Sequence, residues 1–145
     1  MPMPVNIQAA LLTKVLKFNS RLAEKSIIHM LVVYNGTSKS SKDELLSQLD
    51  KSIEAKGILP DEIDQNIKST DVVYFMPGLQ EKSKICKVNK VLTITGISKY
   101  VEEGDISIAL GILNDKPKIY INITSLKSEE QNLSSDLLRI AKVYK

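Results

Sequence analysis

The first third of the chain carries two different patterns of apolar residues. Near the amino terminus, apolar side chains recur at steps of four and three residues: Ile7, Leu11, Val15, Phe18 and Leu22. This spacing, with basic residues between the apolar positions, predicts an amphipathic helix over residues 5–23. Residues 27–34 form a nearly unbroken apolar run with several β-branched side chains. That run predicts a strand covered on both faces.

The next segment carries signals for a second helix. Residues 35–40 have the polar composition of a loop, and Ser41 to Glu44 has the pattern of a capping box. We therefore expect a helix that begins there and ends at Gly57. Its apolar face would consist of Leu45, Leu46, Leu49 and Ile53.

Two further buried strands are predicted from residues 71–76 and 91–95, which are short apolar runs followed by Pro or Gly. Residues 61–69 are ambiguous and allow a short polar edge strand, whereas residues 79–90 fit a short exposed helix. The resulting alternation of helices and strands predicts right-handed crossovers and a parallel sheet.

The pattern changes after Gly104. Residues 106–113 and 118–123 are two β-like runs, and the short connection between them predicts an antiparallel hairpin. A last amphipathic helix would place five residues on one face: Leu133, Leu137, Ile140, Ala141 and Tyr144. The sequence thus predicts one domain over residues 1–145. Its fold class is α/β, a layered sandwich with a mostly parallel central sheet, a C-terminal antiparallel hairpin and helices on both faces.

Composition narrows the choice of partners. The 145 residues carry a net charge of +3 from scattered side chains, and only 5% of them are aromatic. Such a chain lacks the phosphate contacts and base-stacking groups of nucleic-acid binders, so we expect no nucleic-acid partner. The longest apolar runs, such as 27–34, are far shorter than the roughly 18 to 20 residues that cross a bilayer. We therefore expect no direct insertion into a membrane.

The chain offers one histidine and one cysteine. They fit no catalytic triad, metal site or multi-thiolate template, so the sequence predicts no enzyme, metal or cofactor site. We expect His29 to be buried and hydrogen-bonded within its strand. Cys86 lies between Lys84 and Lys87, whose charges would lower its pKa and make the thiol reactive. The alternative, which we favour because nothing around Cys86 resembles a redox motif, is a half-buried position on a helix or a site for intermolecular crosslinking.

Loops at the carboxyl ends of parallel strands usually hold the ligands of α/β folds. This rule singles out residues 35–42, 77–78 and 95–99, none of which contains a glycine-rich phosphate motif. Six polar residues at strand ends are our candidates for a ligand or partner surface: Asn35, Thr37, Ser38, Thr95, Ser98 and Asn122.

The last third of the chain resembles the YfiR-like family. Residues 101–111 contain its glycine-led strand, residues 118–123 its second strand ending in an Ile-Asn pair, and residues 132–142 its closing helix, which begins Ser-Ser. The first helix and the central strands also fit, so the resemblance covers nearly the whole chain. The motif residues, expected to be structural, are Gly104, Gly111, Asn122, Ser134, Ser135, Leu137, Leu138 and Ala141.

The resemblance implies a non-enzymatic periplasmic regulator. It implies a homodimer that binds the periplasmic part of a membrane signalling protein and represses a diguanylate cyclase, which controls cyclic di-GMP and biofilm formation. A signal peptide would then have been removed, and residues 1–4 would be vector-derived or disordered. Members of the family carry cysteine pairs, whereas Cys86 stands alone here, so we expect no intramolecular redox control. The alternative function is a small-ligand-binding sensor domain that uses the strand-end loops.

Overall fold

A seven-stranded sheet forms the centre of the computed structural model, which describes residues 3–145. The strands are β1 (Ile28–Val33), β2 (Ile53–Ile58), β3 (Val72–Phe75), β4 (Leu92–Thr95), β5 (Ile108–Leu113), β6 (Lys116–Asn122) and β7 (Lys142–Tyr144). The helices are α1 (Val5–Lys17), α2 (Lys39–Gln48), α3 (Ile63–Asn66), α4 (Lys84–Val88), α5 (Ser98–Glu102), α6 (Ile123–Ser128) and α7 (Ser135–Ile140).

The strand order is β2-β1-β3-β4-β5-β6-β7. All neighbours are parallel except β5 and β6, which form the predicted antiparallel hairpin. The two residues between these strands, Asn114 and Asp115, have φ values of 53° and 63°. Positive φ at both positions is the requirement of a type I′ turn, whose twist matches that of the paired strands. The predicted α/β sandwich with a mostly parallel sheet is confirmed.

Alternating residues of the central strands supply two apolar layers, one on each face of the sheet. Met30 and Val32 of β1 belong to the layer that contains Leu12 of α1. Leu31 and Val33 belong to the opposite layer, which contains Ile63 of α3 among others. Because β1, β3 and β4 are buried on both faces, apart from the exposed His29 of β1, their sequences are nearly continuous apolar runs.

The predicted second helix is wrong over its later part. Helix α2 begins at Lys39 and ends at Gln48, and Gly57 lies inside strand β2 rather than at a helix end. The capping box is formed by Asn35 and Ser38, not by Ser41 and Glu44. The apolar pattern of the sequence does not indicate strand β2, because the strand lies at the edge of the sheet and only its two end residues are buried.

Gly57 allows α2 and β2 to approach closely. A Cβ at this position would lie 2.7 Å from Cδ of Lys42 and 3.2 Å from the ring of Tyr34. The Lys42 side chain is nearly buried there, with its Nζ 4.3 Å from the centroid of the Tyr34 ring. That distance fits a cation–π contact. The aliphatic stem of Lys42 thus fills the space that a side chain at 57 would occupy.

Three other boundaries differ from the predictions. Residues 61–69 form helical turns rather than an edge strand. Helix α1 ends at Lys17 because the side chain of Asn19 accepts backbone hydrogen bonds from Arg21 and Leu22 at 3.0 and 3.2 Å, which starts a new turn. The last helix ends at Ile140, and the chain continues as edge strand β7.

Candidate functional site

A cleft of about 160 Å³ lies at the carboxyl ends of β3 and β4. Its lining is largely apolar and comes from α1 and the segment before it, α2, β3 and the segments that follow β3 and β4: Met3, Val5, Gln8, Ser41, Leu45, Tyr74, Met76, Pro77, Gly96 and Ile97. This is the edge at which parallel α/β sheets usually bind ligands. Met3 is only 5% exposed, and the expectation that residues 1–4 are vector-derived or disordered stays a prediction. Residues 1 and 2 lie outside the described residues.

The polar groups of the cleft are Tyr74 and Gln8. The Tyr74 hydroxyl donates a hydrogen bond to Oε1 of Gln8, and burial raises the pKa of Tyr74 well above its usual range. The phenol therefore stays protonated and serves as a donor. Gly96 makes this pair possible, because a Cβ there would lie 2.9 Å from the Tyr74 hydroxyl and 3.1 Å from Nε2 of Gln8.

The candidate residues after β1 form a turn. Oδ1 of Asn35 accepts hydrogen bonds from the backbone N–H groups of Thr37 and Ser38 at 3.1 and 3.2 Å, and Oγ of Ser38 accepts one from the backbone of Asn35. Ser38 is buried, Asn35 is half-buried and Thr37 is exposed. Their polar atoms thus start the segment that leads into α2.

The other candidates are separated in space. Thr95 is buried and its hydroxyl donates to the carbonyl of Phe75 at 2.8 Å. Ser98 is half-buried at the first position of α5. Asn122 lies at the end of the antiparallel strand β6, away from the carboxyl ends of β1 and β4. None of the six candidates lines the cleft, which is lined instead by the neighbouring residues Ser41, Gly96 and Ile97.

Two of the family-motif residues, Gly104 and Asn122, lie close together at the antiparallel end of the sheet. The amide of Asn122 donates to the carbonyl of Val101 at 2.9 Å, and its Oδ1 accepts from the backbone of Ser125 at 2.9 Å, so one side chain joins the end of α5 to the start of α6. Gly104 has φ of 88°, a conformation that favours glycine, and a Cβ there would lie 3.7 Å from the Asn122 amide.

The rest of the motif stabilises the last helix and the hairpin. Oγ of Ser134 caps α7 by accepting a hydrogen bond from the backbone of Asp136 at 3.1 Å, and Ser135 begins the helix. A Cβ at Gly111 would lie 3.1 Å from the ring of Tyr120 on the paired strand. Leu137 is fully buried, and the partly buried Leu138 and Ala141 pack on the same core.

Cys86 and His29 differ from expectation. Cys86 is fully buried, and burial together with Glu129 raises the pKa of its thiol to about 12 despite the nearby Lys87. Desolvation therefore outweighs the lysine charge, and the thiol is protonated at neutral pH.

The His29 side chain is exposed, because it lies on the same open part of the sheet face as Glu54, its partner in the register of β1 and β2.

A buried carboxylate that the sequence did not reveal fills a gap between β4 and β5. These strands pair directly only at Ile94–Ile108 and Thr95–Ala109. Before that point, Oε1 of Glu129 accepts hydrogen bonds from the backbone of Thr93 at 3.0 Å and from the Ser107 hydroxyl at 2.7 Å. Oε2 accepts from the Thr93 hydroxyl at 2.7 Å.

Lys87 completes this buried cluster, with Nζ 3.1 Å from Oε2 of Glu129. Glu129 is inaccessible to solvent, and burial raises its pKa, while Lys87, Thr93 and Ser107 act in the opposite direction. The cluster closes the open start of the β4–β5 pair, so its role is structural. The only sequence signal was the presence of Thr93 and Ser107 within apolar runs.

Residues 3–145 contain neither a cluster of metal ligands nor a helix fit to cross a membrane. No cluster of three or more His, Cys, Asp or Glu side chains is arranged to hold a metal ion. No helix in this range combines the length and apolar character that spanning a bilayer requires.

Solved structures with the same fold place the chain in the class of α/β domains. A conserved domain protein from Vibrio cholerae O1 biovar El Tor aligns with a TM-score of 0.72 at 16% identity, and the alignment covers 98% of this chain. The ABC domain from Streptococcus pneumonia in complex with L-Trp aligns with a TM-score of 0.67 at 13% identity, also over 98% of this chain. The chain spans 60% of the length of each of these proteins.

The sequence profile of the YfiR/HmsC-like family matches residues 5–142. The chain therefore belongs to the YfiR/HmsC-like family. No curated protein matches the sequence.

Proposed function

We propose that this protein is a periplasmic regulator that binds the periplasmic part of a membrane-bound diguanylate cyclase and represses it. The match of the YfiR/HmsC-like family to residues 5–142 carries this proposal. The motif that marks the family also has a defined place in the fold, where Asn122 joins α5 to α6 beside Gly104. Repression here is a binding function and involves no catalytic step.

The proposed contact surface is the carboxyl edge of the sheet. Thr37 is exposed there, and Asn35 and Ser98 are half-buried. All three follow parallel strands β1 or β4 and belong to rigid turns or a helix start rather than to long loops. A preformed polar rim of this kind around a small apolar cleft fits a partner without a large change of shape.

Gene deletion followed by measurement of cyclic di-GMP tests the regulatory proposal. We expect cyclic di-GMP and biofilm to rise in the deletion strain and to fall again when the wild-type gene is restored. Thr37→Arg with Ser98→Arg should fail to restore repression, because two bulky cations would obstruct the proposed surface. Thr124→Arg, exposed on α6, is the matched control and should restore it. Unchanged cyclic di-GMP after deletion would contradict the proposal.

We propose a small-ligand sensor as the second candidate function, because of the cleft between α1, α2, β3 and β4. The Streptococcus pneumonia domain that shares this fold was solved with L-Trp bound. A small apolar or aromatic molecule would use the apolar walls and the polar atoms of Tyr74 and Gln8.

A thermal-shift experiment with L-Trp and related aromatic amino acids tests the sensor function. A ligand at a hundred times its dissociation constant stabilises the folded protein by about 2.7 kcal/mol. Gly96→Ala should abolish that shift and cost roughly 1–3 kcal/mol of stability, because the new methyl group meets the Tyr74 hydroxyl. Gly36→Ala is the control, since a Cβ there has no atom within 4 Å. Equal shifts in both variants would place binding outside the cleft.

We also propose a homodimer, which the family resemblance implies.

A further inference from the structure

Strand β2 is one edge of the sheet, with β1 on its inner side. The carbonyls of Ser52 and Ile58 accept hydrogen bonds from β1 and the residue after it, at 2.8 and 3.1 Å. Because backbone groups of successive strand residues point to opposite sides, the even-numbered residues face β1 and the odd-numbered residues face outward. The N–H and C=O groups of Ala55 and Gly57 thus point away from the sheet.

One face of strand β2 carries two side chains of opposite charge. Glu54 and Lys56 are both exposed and lie two residues apart, so they project from the same face of the sheet. Their face also carries a groove of about 310 Å³, which is lined by His29, Glu54 and Lys56 among others. The charged side chains of Glu54 and Lys56 are thus exposed beside the outer edge of β2.

We propose that β2 pairs with β2 of a second copy of this chain in antiparallel orientation, with Ala55 opposite Ala55 and Glu54 opposite Lys56. This inference rests on the dimer proposed above and specifies its surface and register. It does not depend on which signalling protein the dimer regulates. The pairing would join two seven-stranded sheets into one continuous sheet.

Backbone geometry and charge select the same register. Outward-facing residues must lie opposite outward-facing residues, so each odd-numbered residue of one strand faces an odd-numbered residue of the other. The symmetric pair can then be centred on Glu54, Ala55 or Lys56. Centring the pair on Glu54 or on Lys56 places like charges directly opposite each other, which is unfavourable. Centring it on Ala55 creates two symmetric Glu54–Lys56 pairs at the closely spaced positions where side chains interact most strongly.

The other edge of the sheet lacks this self-complementarity. Strand β7 has three residues, and its only charged residue is Lys142. A very short edge strand with a lysine is a known protection against edge-to-edge pairing. Strand β2 has six residues and opposite charges, so it is the edge that fits a second copy.

Sedimentation velocity across a range of concentrations tests this proposal. We expect a monomer–dimer equilibrium that weakens as salt is added, because exposed charge pairs are screened. Glu54→Lys alone and Lys56→Glu alone should each weaken the dimer roughly tenfold or more, because two attractive pairs become repulsive. The double variant Glu54→Lys/Lys56→Glu should restore it. Thermal unfolding of each variant confirms that the fold is intact.

The combined pattern decides the outcome. A monomer at every concentration would overturn the proposal. A dimer unaffected by either single change would show that another surface is used, and would overturn it as well. A double variant as weak as the single variants would also overturn it. None of these outcomes tests the proposed regulation of a cyclase, because that proposal is tested by measuring cyclic di-GMP.

Disulfide trapping tests the register directly. In an antiparallel hydrogen-bonded pair the opposite Cα atoms are about 5.5 Å apart, within the range that a disulfide spans. Ala55→Cys should therefore form a covalent dimer on mild oxidation. The native Cys86 is buried and should form no disulfide under these conditions. Thr124→Cys, exposed on α6, is the control, and an equal yield of crosslinked dimer from it would overturn the register.

Discussion

Glu129 occupies the space between the starts of β4 and β5, where its two oxygens replace strand-to-strand hydrogen bonds. Its partners come from three distant segments of the chain, so no local pattern in the sequence predicts the contact. In the sequence it stands beside Glu130, which is exposed. A buried carboxylate is retained only where several donors and a counter-charge compensate the loss of water.

The two adjacent glutamates provide a matched test of this cluster. Glu129→Gln leaves Lys87 without its buried counter-charge and directs an amide N–H₂ group at other donors. We expect a loss of about 3 kcal/mol in the free energy of unfolding. Glu130→Gln removes only an exposed pair with Lys90 and should change it by less than about 0.5 kcal/mol. Urea denaturation of both variants measures the difference, and equal values would contradict the structural role.

The raised pKa of Glu129 also predicts the sign of a pH effect. Between its value of 4.5 in the unfolded chain and its higher folded pKa, the folded protein binds more protons than the unfolded chain. The contribution of this group is therefore fully present below the unfolded pKa and is lost as pH rises through the folded pKa. Wild type should gain stability relative to Glu129→Gln when pH falls from about 7 to about 5. Glu130→Gln should show no comparable trend.

Among the elements, burial decided what the sequence could predict. Strands β1, β3 and β4 were predicted because both of their faces are covered. Strands β2 and β7 were missed because an edge strand carries polar residues and has a weak pattern. The hairpin was predicted because its turn residues are adjacent in the sequence. The apolar spacing of α7 continues into β7, so the two elements have the pattern of one longer amphipathic helix.

The hairpin turn predicts opposite effects of one substitution at two sites. Asp115 has φ of 63°, so Asp115→Gly removes the cost of a left-handed conformation and should raise the free energy of unfolding by about 1 kcal/mol. Asp136→Gly, in the exposed first turn of α7, should lower it by roughly 1 kcal/mol because glycine weakens a helix. Thermal unfolding measures both, and the same sign at both sites would contradict the turn assignment.

At the scale of the whole molecule, the carboxyl edge of the sheet could be located from the sequence, but its cleft could not. The alternation of helices and strands fixes which loops share that edge. The atoms that line the cleft come from α1, α2 and both strand ends, and Gln8 and Tyr74 are 66 positions apart in the sequence. The polar loop residues that stood out instead form hydrogen bonds within their own turns.

The buried position of Cys86 predicts that its thiol reports on the opening of the whole fold. With a pKa of about 12 and no exposed surface, Cys86 should react with a chromogenic disulfide reagent only when the protein unfolds. Its rate should follow the unfolding equilibrium as urea is added. Thr124→Cys should add a second thiol that reacts at once in native buffer. Rapid reaction of Cys86 in native buffer would contradict its burial.

The contact of Gly57 with Lys42 and Tyr34 has an evolutionary consequence. The Lys42 stem occupies the space beside Gly57, so a side chain at position 57 would displace that stem or be accompanied by a shorter residue at position 42. A larger residue at position 57 is therefore constrained by the residue at position 42, whereas a shorter residue at position 42 creates no clash. In descendants of this sequence, a larger residue at position 57 should occur together with a shorter residue at position 42.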